Sequence, residues 1–334
     1  MEVGRVEAGL YLSDKGFDSG LATAGSKLDT FGSKIDSVAQ KAGEIGQSLT
    51  MGLTLPIAGA AAGVVKLAGD FEQSMANVAS VTGGGVEAQK ALSAAAREAG
   101  ATTVFSASQA ADAMYYMAAA GWKDQQIVAG LNDTLKLAAA GGKDLAFTSD
   151  LMTAPISQFG LEAGDAGRVA NVFAAAASNS QANLDKLAYS MRYVGPVAES
   201  LGWSLEDTTG GLMGLYNAGY KGEQAGTVLR GALSALLKPS DAVAETLKTL
   251  GLSIEDVNPA THSLAEIIGV LESKNLSAAQ AVAIFGQEAG PGMLALLGQG
   301  QDALEGYIAS ITGTSKATEM METQTNTLWG ALKQ

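Results

Sequence analysis

From Phe71 onward one device recurs along the chain. A helix-favouring run ends in glycine, a large apolar residue follows, and polar residues then start the next run. It appears at Gly121-Trp122, Gly160-Leu161, Gly202-Trp203, Gly219-Tyr220 and Gly251-Leu252. The physical reason is the left-handed helix cap, in which glycine takes a positive φ without steric penalty and the next side chain folds back over the last turn. Start signals accompany the stops: Ser106-Ala-Ser-Gln109 and Ser263-Leu-Ala-Glu266 read as capping boxes, and Pro239 and Pro259 lie in further breaks. A chain punctuated in this way is all-α, a multi-helix core of short helices. No fixed repeat length is evident, so the pattern reads as recurrent helix-turn-helix punctuation and not as a solenoid.

Composition agrees. Hydrophobic residues make up 47% of the 334 and charged residues only 16%, against roughly 25% charged in average globular proteins. Much of the apolar content is alanine, which favours helix, and the 42 glycines interrupt it. Helices with so little surface charge need neighbours, within the chain or in other copies. The net charge of −13 argues against specific nucleic-acid binding, which needs clustered Lys and Arg. With no cysteine, disulfides and thiolate chemistry are excluded. The amino terminus lacks the basic-then-apolar order of a signal peptide, which places synthesis and first residence in a cytoplasm.

The first seventy residues differ from the rest. Residues 6–12 alternate weakly, as a strand would. Then Leu21, Ala24, Leu28, Phe31, Ile35, Val38, Ala42, Ile45 and Leu49 follow in unbroken 3-4 spacing, a coiled-coil seam. Lys27, Lys34 and Lys41 lie on one flank and Gly25, Gly32, Ala39 and Gly46 on the other. The small residues allow a partner backbone to come close, so the seam predicts self-association into a homo-oligomer. An amphipathic helix packed on its own domain is the alternative. Ser48 to Val65 carries no charge but holds Pro56, three glycines and two threonines. It reads as a buried or self-associating helix, with a conditional membrane segment as the alternative. The expected organisation is an amino-terminal segment 1–20, heptad and hydrophobic helices over 21–70, a helical core over 71–312, and the start of a continuing helix over 313–334.

Candidate chemistry is sparse. His262 is the only histidine, so zinc-hydrolase motifs and histidine triads are absent. At a helix entrance it reads as a satisfied surface residue. "AAAGGKD" contains Gly-Lys, but Asp144 stands where a phosphate loop needs Ser or Thr, and no glycine lies five residues before Gly142. "TGGGVEAQK", from Thr82 to Lys90, reads as a hinge before a helix. No catalytic residue, cofactor or metal site is assigned.

One stretch is ambiguous. Glu199-Ser200, Gly210-Gly211-Leu212-Met213 and Tyr216-Asn217-Ala218-Gly219 resemble, in order, motifs of the lytic transglycosylases. Only 17 residues separate Glu199 from Tyr216, too few for the helices that enclose a general acid of raised pKa. "YNAGYKG" therefore reads as a turn, with Gly219 at the cap and Tyr220 returning. A peptidoglycan-cutting enzyme and a pore-forming helical protein based on 48–65 are the competing function classes.

The wider neighbourhood points elsewhere. "LYNAGYKGEQAGTVLRGALSALLKP" (Leu215–Pro239), "FEQSM" (Phe71–Met75), "TTVFSASQAADAMYYMAAAGW" (Thr102–Trp122) and "LAYSMRYVGPVAESLG" (Leu187–Gly202) strongly resemble the core of tail tape measure proteins from long-tailed bacteriophages. The resemblance spans about residues 71–300. It implies a structural virion component of the tail lumen, assembled in the host cytoplasm, that sets tube length and leaves before DNA at ejection. The implied partners are tail tube and tail tip proteins, tail assembly chaperones and, at ejection, the host membrane. Such proteins usually run many hundreds of residues, so this chain reads as a fragment or a shortened prophage copy.

Overall fold

The computed structural model of the chain describes residues 50–325, with side chains from residue 66 to 324. The strand-like alternation at 6–12, the heptad seam from Leu21 to Leu49 and the residues after 325 lie outside the described residues, as do the side-chain surroundings of 48–65. The described residues are all-α, with fourteen α-helices, two 3-10 turns and no strand. The compact unit begins at Leu67, inside α1 (Thr50–Thr82), which runs without a break through the boundary expected at residue 70.

After α2 (Val86–Thr102) come α3 (Ala107–Ala119), α4 (Asp124–Gly141), α5 (Leu145–Gln158), α6 (Ala166–Asn179), α7 (Leu184–Ser200), α8 (Leu205–Asn217) and α9 (Gly222–Leu237). These helices stack alternately. α3, α5, α7 and α9 pack side by side in one layer. α4, α6 and α8 pack side by side in the other, continued by α13 (Gln301–Ile311). The first-layer helices α3, α5 and α7 end at Gly121, Gly160 and Gly202, roughly forty residues apart, the size of a helical-pair repeat. The chain stacks in helix pairs although the sequence shows no fixed period. The spacing drifts by a few residues from pair to pair, enough to hide it.

α10 (Asp241–Thr249), α11 (Leu264–Glu272) and α12 (Ala278–Leu297) close one end, with α12 against α9. Gly286 interrupts α12 at φ 81° and ψ 172°, where the chain kinks. The core does not stop at Thr312. α14 (Lys316–Thr325) turns back onto α4 and α6, burying Ala317 and Met321. Asn171 accepts from the Ala317 N–H at 2.9 Å, and Gln324 Nε2 donates to the Ala139 carbonyl at 2.8 Å. Among the described residues no single helix is long and apolar enough to cross a membrane, although α12 and α13 pass together by length and composition across an 85° bend.

Helix ends are built locally. Gly121, Gly160, Gly202, Gly219 and Gly251 all take positive φ. The next N–H reaches back five residues each time: Trp122 to Met117 at 3.1 Å, Leu161 to Ile156 at 2.9 Å, and Trp203 to Ala198, Tyr220 to Leu215 and Leu252 to Leu247 at 3.0 Å. These are Schellman bonds, which satisfy carbonyls the helix leaves open. Gly142 makes the same turn without a large apolar follower, Lys143 N–H bonding Ala138 at 3.0 Å. Helix starts at Ser106 and Ser263 carry reciprocal capping-box bonds with Gln109 and Glu266.

Candidate functional site: the crossing of α7 and α9

Several residues of the ambiguous stretch serve packing or turning. Tyr216 is fully buried. Its hydroxyl donates to Ser190 Oγ at 2.7 Å, with the Lys186 carbonyl 3.1 Å away. Ser190, also buried, donates to the Gly222 carbonyl. Burial pushes the Tyr216 hydroxyl far above the usual phenol range, so it stays protonated as a donor. Asn217 Oδ1 accepts the Gln181 N–H at 2.9 Å. Gly219 makes the turn at φ 91°, and Lys221 starts α9.

Gly222 and Gly226, one turn apart, then let α9 lie directly on the backbone of α7. A Cβ at Gly222 would sit 2.9 Å from Lys186 Cα, and one at Gly226 would sit 2.6 Å from the Ser190 carbonyl oxygen. Backbone cannot rotate away from such a contact as a side chain can. The crossing therefore requires glycine at both positions, and the buried Tyr216–Ser190–Gly222 bonds fix its register.

The remaining candidate groups are placed apart from this crossing. Glu199 is exposed in the last turn of α7, in no apolar enclosure. His262 has its Nδ1 2.9 Å from Thr261 Oγ1, just before the Ser263 cap. Lys143 pairs with Asp185, and Asp144 caps α5 by accepting the Phe147 N–H at 2.8 Å. No metal-binding cluster occurs among the described residues.

Sequence reasoning missed the ion pair that joins α6 to α8. Arg168 on α6 grips Glu206 on α8 with two parallel bonds, Nε to Oε1 at 2.7 Å and Nη2 to Oε2 at 2.6 Å. The Glu206 side chain is only 8% exposed. Its bonds raise the Arg168 pKa further, so the pair stays ionised. The two residues lie 38 positions apart, and only the neighbouring places of α6 and α8 in one layer bring them together. Arg168→Met leaves a buried carboxylate uncompensated and is expected to cost about 2–3 kcal/mol, discounted for the half-exposed arginine. Chemical denaturation of the purified chain checks this, and a loss within error of zero would show the pair to be dispensable.

This geometry belongs to a packed helical scaffold. The sequence pattern of the phage-related minor tail protein family matches residues 93–290, from α2 to α12. The chain belongs to that family. Its similarity to the tape measure protein of Pneumococcus phage Dp-1 is 38% identity over 297 residues, covering 87% of this chain and 26% of that protein. The probable tape measure protein of Escherichia phage P2 is 28% identical over 290 residues, 83% of this chain and 35% of that protein. The chain thus spans a quarter to a third of the length of these relatives. No solved structure matches it. The phage-related minor tail protein match covers the whole α7–α9 crossing, including the buried Tyr216, Gly222 and Gly226 and the Gly219 turn.

Proposed function

We propose that this chain is the helical core of a tape measure protein, a structural part of the phage tail lumen that sets tail length and is released at genome ejection. The observation that carries this reading is the similarity to the Dp-1 tape measure protein over 87% of the chain, which takes in the layered helices. A structural role fits the site: the motif that mimics a transglycosylase is spent on the α7–α9 crossing, and Glu199 stands exposed. Copies associate through the heptad seam at Leu21–Leu49. Tail tube and tip proteins, tail assembly chaperones and the host membrane at ejection are the partners the role requires.

A length experiment tests it. Helical residues inserted in frame after the core, in the phage gene that encodes this chain, are expected to lengthen the tail by about 1.5 Å per residue. Negative-stain electron microscopy of assembled particles reads the length directly. Tails of unchanged length would sink the reading.

A further inference from the structure

We infer that the cores of two copies meet head to tail, a tyrosine-arginine ridge on α7 and α9 of one copy entering an acidic groove between α11 and α13 of the next. The ridge runs along the α7–α9 crossing. Tyr189 is 53% exposed, and the Arg192 guanidinium lies 5.9 Å from its ring centre. Arg230 of α9 lies 5.7 Å from the Tyr193 ring, and the Tyr193 hydroxyl donates to Glu223 at 2.6 Å. The exposed Lys221 precedes Gly222, which lies against Tyr189. Three bases thus accompany one acid on this ridge, in a chain of net charge −13. Tyrosine and arginine are the residues that protein interfaces concentrate. An arginine already stacked on a ring also has less freedom to lose on binding.

The complementary surface lies on the same chain. From Asp241 to Ile311, α10 to α13 and their connections carry nine acids and two bases, a net of −7. All nine acids are exposed. The end of α11 and the start of α13 enclose a groove of about 510 Å³ whose lining includes Glu272 and Asp302 and no basic residue. Glu305 lies about one turn further along α13.

None of these three carboxylates, and none of Arg192, Lys221 and Arg230, makes an ion pair within the described residues. One chain cannot match them itself, because α7 and α9 belong to one layer and α13 continues the other. Two chains can. Opposite charges left unmatched on each copy steer the copies together and select the faces that meet. The two faces differ, so the contact is heterologous, and each added copy leaves a ridge at one end and a groove at the other for the next. This contact joins the cores and is separate from the heptad seam.

Sedimentation velocity of the full chain tests it, with Ile35→Asp present throughout to remove association through the seam. Micromolar association is expected at about 50 mM salt, weakening at least tenfold at about 500 mM as the charges are screened. Arg192→Glu with Arg230→Glu is expected to abolish it, and so is Asp302→Lys with Glu305→Lys. All four positions are exposed, and circular dichroism confirms that each protein is folded. Arg192→Gln with Arg230→Gln repeats the loss should the reversal misfold. An equimolar mixture of the two reversed proteins is expected to associate again, because the acidic ridge of one meets the basic groove of the other. A mixture that stays monomeric, or undiminished association of either reversed protein alone, would overturn the inference. So would a folded but monomeric Ile35→Asp parent, and polyglutamate binding by that monomer would assign the ridge to a different acidic partner.

Discussion

Gly226→Leu is expected to force α9 away from α7 and to cost the core about 3 kcal/mol, the upper range for overpacking a filled site. The physical reason lies in what the new side chain meets. Its Cβ alone would stand 2.6 Å from the Ser190 carbonyl oxygen and 2.8 Å from Ser190 Cα. Both are backbone atoms of a helix packed on further helices. Relief requires separating the crossing, which also breaks the buried bonds among Tyr216, Ser190 and Gly222. Gly231 supplies the control on the same helix. A Cβ there meets only Ala289 Cβ at 3.4 Å, so Gly231→Ala is expected to be neutral or to stabilise by up to about 1 kcal/mol through helix propensity. Urea unfolding midpoints separate the two. If Gly226→Leu unfolds no earlier than Gly231→Ala, the close crossing is not what the fold depends on.

Trp203→Ala is the second large effect, expected at about 3–5 kcal/mol. Trp203 follows the Gly202 turn, is 7% exposed, and its indole N–H donates to the Pro259 carbonyl at 2.8 Å. It therefore ties the end of α7 to the loop that leads into α11. Trp203→Phe keeps most of the apolar contact but leaves the Pro259 carbonyl without its donor, at about 1–2 kcal/mol. Thermal and urea unfolding of the three proteins gives the comparison. Equal losses for Ala and Phe would assign the whole effect to the hydrogen bond, and a negligible loss for Ala would remove Trp203 from the core.

Helix ends are legible in the sequence because their physics is local. A Schellman turn is settled by a glycine and by bonds that reach five residues back, and a capping box by a serine and an acceptor three residues on. Gly142 is the instructive exception. Its turn is the same as the others, yet Lys143 follows it where the pattern expects a large apolar side chain. Lys143 is bound up instead with Asp185, 42 positions away, a partner that nothing near Lys143 announces.

The sequence by itself determined that the chain is helical, where several helices end, and which family it resembles, because capping, propensity and motif order all act within short windows. Tertiary structure alone decided the alternation of helices in two layers, the grip of Arg168 on Glu206, the return of α14 onto α4 and α6, and the bare backbone contact of Gly226 with Ser190. Each depends on which face of one helix meets which face of another. That choice is set by side-chain volume and by matching buried donors to acceptors across tens of residues, and a local pattern carries no record of it.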